Sequence, residues 1–213
     1  MSNKLYKSLL ILSFTGLISS CDFADKNIDP GSSSTIEPGP LLTYTQLNTT
    51  TGGHCKNVQV GTCMMIVQQA ASLQKEDMPG DKYYTSEAFG TLFTDDYSSL
   101  IKNWREMMIL AGQDKKYENM TAVGKIWGAF LFQRLTDLYG NVPYSEAGLG
   151  YYNQIYYPKY DTQESIYMTM IDEVRAGLAL LSKDKPAIEG DIIYKGDIDK
   201  WKKFGNSMLL LLF

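Results

Sequence analysis

Three sets of side chains in this 213-residue chain have the type and spacing to do chemistry. The first is a single thiol. Lys4 and Lys7 precede an apolar run from Leu9 to Ile18, and Leu17-Ile18-Ser19-Ser20-Cys21 then sets two small residues directly before a cysteine. A positive start, an apolar middle and small residues at the end make a secretory signal peptide. A cysteine at its cleavage point makes a lipobox: the thiol is acylated, the chain is cut before Cys21, and the new amine is acylated. The apolar run is about half of the ~20 residues that a bilayer-spanning helix needs, so it directs export. Two or three acyl chains on one residue anchor stably, where a single chain binds only marginally.

The second set is Cys55 and Cys63, with His54 beside the first. In an exported chain the two cysteines can close a disulfide, or stay as two thiols. As metal ligands the three fall short of the four, in recognisable spacing, that a structural zinc site uses. The third set is acidic and aromatic. Asp137 and the pair Asp95-Asp96 offer carboxylates without a partner at defined geometry, and Asp95-Asp96 reads as negative charge at the start of a helix. Tyr151, Tyr152, Tyr156, Tyr157 and Tyr160 crowd the loop from Gly148 to Tyr160, and Tyr83-Tyr84 follow a turn. Tyrosine rings stack on the apolar faces of sugars and are favoured at protein interfaces. Three readings stay open for them: packing on neighbouring helices, contact with a partner protein, or contact with a ligand. His54 is the only histidine, which leaves a Ser-His-Asp or Cys-His arrangement poorly supported, and no phosphate loop or dinucleotide fingerprint occurs. The expectation is no catalytic residue, no cofactor and no metal.

The elements that must position these groups are helices. Residues 1–20 are the signal peptide, and residues 21–40, rich in Asp, Gly, Ser and Pro, read as a flexible tether. Residues 41–213 form the folded domain. Loss of residues 1–20 removes two lysines and no acid, leaving 18 basic against 24 acidic residues and a net charge of −6. With no basic run, nucleic acid is excluded as a partner. Apolar residues at spacings of three and four predict helices over Thr62–Gln74, with Met65, Ile66, Gln69, Ala70 and Leu73 on one face, and over Asp95–Ala111, closed by Gly112. A third, capped by Asn119, lines Val123, Ile126, Trp127, Phe130, Leu131, Leu135 and Leu138 on one face and ends at Gly140, with Pro143 beyond. A fourth begins at Asp161, with Glu164 completing a capping box, and a fifth follows Asp197. Trp104, Trp127 and Trp201 sit on apolar faces and read as core. The last helix runs into Phe213 without a stop signal, as in a fragment of a longer protein. The fold class is all-α: antiparallel helix pairs joined by short or medium loops, which can stack as a solenoid of tetratricopeptide type.

Three blocks carry a family resemblance. Gln133-Arg134-Leu135-Thr136-Asp137-Leu138-Tyr139-Gly140-Asn141-Val142-Pro143-Tyr144-Ser145-Glu146-Ala147 resembles the signature segment of the SusD/RagB family of nutrient-binding outer-membrane lipoproteins. Pro158 to Tyr167 is similar to the start of the helix that follows it in that family, and Gly196 to Met208 to its later helix with Trp201 and Asn206-Ser207. The agreement spans roughly residues 60–208. Leu209 to Leu212 depart from it, since the family places a Lys or Arg there.

The resemblance implies a cell-surface lipoprotein, anchored in the outer membrane through Cys21. Such a protein binds glycans, oligosaccharides or peptides and delivers them to a SusC-like TonB-dependent transporter. Asp22 and Asp25 behind the anchor suit surface export. Asp137, Tyr139, Gly140, Pro143, Tyr144, Trp201 and Asn206 are then structural motif residues. The tyrosines Tyr83, Tyr84, Tyr151, Tyr152, Tyr156 and Tyr157 become candidates for ligand or partner contact. Two other classes remain: a lipid-anchored surface glycan hydrolase, with paired carboxylates about 5–10 Å apart across a cleft, and a structural helical scaffold lipoprotein.

Overall fold

The computed structural model describes residues 36–51, 58–71, 73 and 87–213, and Glu37–Phe213 form one compact unit. Cys21, Cys55, Tyr83 and Tyr84 lie outside the described residues. Helix α1 spans Pro38–Thr51, so it starts inside the stretch read as tether. Pro38 and Pro40 fall in its first turn, where a missing N–H breaks no helical bond. The apolar code is silent over α1 because its buried face is mostly polar: Thr45, Gln46 and Thr49 are buried alongside Leu42. The threonine hydroxyls satisfy themselves within the helix, Thr45 donating to Leu42 O at 2.9 Å and Thr49 to Thr45 O.

A π-helical turn, Gln59–Cys63, leads into the short α2, Met64–Ile66. The predicted helix to Gln74 ends here because Gln68 takes φ 59°, a left-handed stop, and the Gln69 N–H closes back on Met64 O. Gln69 and Leu73 are exposed as a result. Next come α3, Glu87–Asp95, a π-helical stretch Asp96–Ile101, and α4, Lys102–Gly112. Asp95-Asp96 therefore sit inside helical structure, not at a helix start. Asp96 is buried and its Oδ2 receives Arg134 Nη2 at 2.6 Å.

Helix α5, Glu118–Tyr139, packs against α4 and against two later helices, α7, Gln163–Leu180, and α8, Ile198–Leu212. Val123, Ile126, Trp127, Leu131 and Leu135 are buried on α5 as its spacing predicts, while Leu138 stays partly exposed at the edge. Each fully buried side chain of this size stabilises by about 1.5–3 kcal/mol. Trp104 and Trp201 are buried too, and Trp127 meets Trp201 edge-on at 6.5 Å. Glycines let the rods approach closely: a Cβ on Gly128 would lie 2.4 Å from Trp104 Cζ2. Trp104 Nε1 donates to Gly124 O at 2.7 Å.

Two predicted caps have other tasks. Asn119 lies just inside α5, where its amide donates to Ser182 O and Pro186 O and its oxygen accepts from Ser182 N. A short polar side chain can serve a distant loop as readily as its own helix end. Thr162, not Asp161, caps α7 by accepting from Ser165 N, whereas Asp197 caps α8 by accepting from Lys200 N. The connection before α8 is organised by buried Asp191, which accepts from Gln46 of α1, from the N–H of Ile193, Tyr194 and Gly196, and from the Trp201 indole.

Candidate functional site

The signature segment builds a joint between α5 and α7. Gly140 takes φ 72° and ψ −119°, positive in φ but outside the left-handed helical well. Its N–H donates to Thr136 O at 2.8 Å, and the Thr136 hydroxyl returns a bond to Gly140 O at 2.7 Å. The chain then forms strand β1, Val142–Pro143, which pairs antiparallel with β2, Tyr160–Asp161, Val142 opposite Asp161 and Pro143 opposite Tyr160. Asn141 Oδ1 accepts from Gln163 N, and Gln163 Nε2 donates to Thr136 O. Asp137 accepts from the Tyr167 hydroxyl, whose pKa is pushed up to about 12 by burial and by that carboxylate. These contacts give Asp137 a structural task.

Tyr139 and Tyr144 pack back on the helices, Tyr139 edge-on to Phe93 at 5.3 Å and Tyr144 edge-on to Phe132 at 4.6 Å. Burial holds the Tyr144 phenol well above its ordinary range. Tyr97 donates its hydroxyl to the backbone of the same segment, to Pro143 O at 2.6 Å. Trp201 is in the core. Asn206 lies exposed on α8, its amide donating to Lys202 O.

Between β1 and β2 the chain bulges out as a loop that carries the tyrosines. Its ends are tied several times over. Asp161 Oδ2 accepts from Tyr144 N at 3.1 Å and from Ser145 N at 2.8 Å, and the Ser145 hydroxyl donates to the same carboxylate. Burial works to raise the Asp161 carboxyl, but the Ser145 N–H and hydroxyl, the Tyr144 N–H and Lys159 together hold it below the ordinary carboxylate range. Glu146 Oε2 accepts from Lys159 N at 2.9 Å. From α4, Arg105 donates to Ala147 O at 2.9 Å and Tyr144 O at 3.2 Å, and its guanidinium lies 4.9 Å over the Trp104 ring. Gly148 at φ 71° passes so near α4 that a Cβ would sit 2.9 Å from Arg105 Cβ.

On this frame sits helix α6, Gly150–Asn153, followed by Gln154 in the left-handed region. Tyr151 and Tyr157 are 88% and 96% exposed, and Tyr156 and Tyr160 also face solvent. Packing on neighbouring helices is thereby excluded for these four. Tyr152 is the exception: its hydroxyl donates to Glu106 Oε1 at 2.5 Å, a bond that with burial pushes its pKa up to about 12, and its ring meets Tyr151 edge-on at 5.2 Å. The structure therefore leaves Tyr151, Tyr156 and Tyr157 exposed on this loop and ties Tyr152 to α4 through Glu106. Sequence reasoning missed the groups that hold it, Arg105, Glu106, Glu146 and Asp161. The one signal was Arg105 itself, a cation set between the apolar positions of α4.

A family model described as starch-binding and associating with the outer membrane matches residues 30–213. The chain belongs to the SusD-like family. A chitin-binding protein of known structure is similar to this SusD-like chain with 34% identity and a TM-score of 0.76, over 83% of this chain and 38% of that one. A SusD homologue from Bacteroides fragilis matches with 27% identity and a TM-score of 0.61, over 84% and 35%. The chain thus spans just over a third of the length of these relatives. A Bacteroidetes SusD-like protein, 23% identical, shares the fold with a TM-score of 0.75. Curated proteins give no match. The all-α, SusD-like fold that the three motif blocks implied is the fold observed.

Proposed function

We propose that this SusD-like chain is part of a lipid-anchored outer-membrane protein that captures glycans at the cell surface and hands them to a SusC-like TonB-dependent transporter. The observation that carries the reading is the family match over residues 30–213, joined to a lipobox at Cys21. The neighbour named for chitin binding supports a saccharide as the captured ligand. The protein acts by binding, with no chemistry of its own. Residues 21–35 then act as the tether between anchor and fold, long enough for the folded part to swing over a channel.

The tyrosine loop is the surface that meets the partner transporter. Ligand pockets are concave, whereas Tyr151, Tyr156 and Tyr157 project outward from a loop with pinned ends. Exposed tyrosines bring large apolar area with little side-chain entropy to lose, which suits an interface.

The test uses the full-length chain in its native membrane. A barrel protein should co-purify with it, and calorimetric titration with chitin and starch oligosaccharides should show binding. Cys21→Ala should release the chain from the membrane. A Tyr156→Ser/Tyr157→Ser double variant should lose the barrel partner by about tenfold or more without a change in melting temperature. Absence of both a partner and glycan binding would sink the reading, and turnover of a glycan would replace it by a hydrolase.

A further inference from the structure

A cavity of about 370 Å³ lies between α4, α5 and α7, under the first residues of the tyrosine loop. Its floor is apolar, made by Trp104 and Met108 with the backbone of Gly128. Its polar groups come from all sides. Lys125 of α5 pairs with Glu173 of α7, their side chains only 22% and 39% exposed. Arg105 spends two of the five N–H groups of a guanidinium on the carbonyls of Ala147 and Tyr144, which fixes the plane of the rest. Tyr144 lines the same space, and among the described residues no group bonds its hydroxyl. The charges that bear on that hydroxyl include Glu173 and Arg105.

Donors and acceptors are therefore mixed in one small volume. An anion entering it would meet Glu173, and a cation would meet Arg105 and Lys125. A hydroxyl suits both, because it donates and accepts at once. The volume stands near the low end of ligand sites, which run from about 300 to 1,000 Å³, so it suits one ring and not a chain of rings. We propose that this cavity is a binding site for a single neutral, polyhydroxylated ring: the terminal unit of a saccharide, or a free monosaccharide. For its ligand class the proposal rests on the glycan-capture reading, but the site is distinct from the exposed face of the tyrosine loop.

The experiment is calorimetric titration of the full-length chain with glucose, galactose and N-acetylglucosamine, and with galacturonate and glucosamine as charged counterparts. At least one neutral ring should bind at concentrations below about 20 mM, and more tightly than either charged ring. Lys125→Met/Glu173→Leu keeps apolar bulk in place of the ion pair, and should weaken that binding about tenfold or more while the protein still melts cooperatively. Tyr144→Phe, which removes only the hydroxyl, should weaken it by a smaller factor. The proposal is overturned if no neutral ring binds, if a charged ring binds more tightly, or if neither variant changes the affinity. Should single rings bind while oligosaccharides and the barrel partner do not, the site stands and the glycan-transfer reading falls.

Discussion

Trp201 donates its indole N–H to Asp191 Oδ2 across 2.7 Å, and the same carboxylate takes the Gly196 N–H at 2.8 Å and the Gln46 amide at 3.0 Å. One side chain thus ties α1, α8 and the loop before α8. Asp191→Ala leaves several buried donors without an acceptor and should cost about 2–4 kcal/mol of stability. Asp191→Asn keeps an acceptor oxygen and should cost less. Denaturant midpoints of the two variants check this, and equal losses would refute the carboxylate's part.

Arg134 and Asp96 form the most enclosed ion pair among the described residues, with the Asp96 side chain only 1% exposed. Removing Arg134 takes the guanidinium away from a buried carboxylate and from Thr49 O. Arg134→Met should therefore destabilise by about 3–5 kcal/mol, and adding Asp96→Leu should restore most of the loss. A double-mutant cycle by chemical denaturation measures both steps. Simple additivity would show that the pair is not coupled.

Two helical glycines should respond in opposite directions to the same substitution. On α7, a Cβ at Gly177 would stand 2.7 Å from Ala122 O, a backbone atom that cannot rotate away. Gly177→Ala should cost about 1–3 kcal/mol through overpacking. Gly90 on α3 is exposed with open space around its Cβ position, so Gly90→Ala should add about 0.5–1 kcal/mol. Thermal midpoints that move the same way would contradict the packing argument.

The tyrosine loop should come loose in acid. Asp161 titrates lower in the folded chain than in the unfolded one, where an aspartate sits near ~3.9. Its contribution is therefore complete above that unfolded value and is lost as pH falls through the lower folded value. Limited proteolysis between Tyr151 and Tyr157 should accelerate below about pH 4. In Asp161→Ala the loop should already be sensitive at neutral pH, and the acceleration should vanish.

What could be seen in the sequence was whatever speaks through apolar spacing or backbone punctuation. Trp104, Trp127 and Trp201 show their burial by falling on the same faces as Leu100, Leu131 and Met208. Gly140 marks the end of α5 because few other residues take φ 72°. Polar residues with long-range tasks were opaque. Asn119 looks like a cap and holds residues 182 and 186 instead; Asp161 looks like a cap and yields that place to its neighbour Thr162. Helix α1 was missed because Thr45, Gln46 and Thr49 fill buried positions that a search for apolar periodicity skips. At the candidate surface the tyrosines were plain from composition. Their exposure depends on Arg105, Glu146 and Asp161, whose partners lie 13 to 42 residues away along the chain.

The pairing of β1 with β2 brings Pro143 beside Tyr160, so the chain leaves the helical frame and returns to it at nearly the same point. The exposed stretch from Gly150 to Tyr157 can change in length or composition without moving α5 or α7, because the buried Ala147 and the bonds of Tyr144, Ser145 and Glu146 lie before it. Evolution can therefore treat this stretch as an exchangeable cassette on one scaffold. The same holds at the bench: residues 150–157 could be swapped between SusD-like proteins, with Ser145, Glu146, Ala147 and Gly148 left in place to tie the segment to Asp161, Lys159 and Arg105.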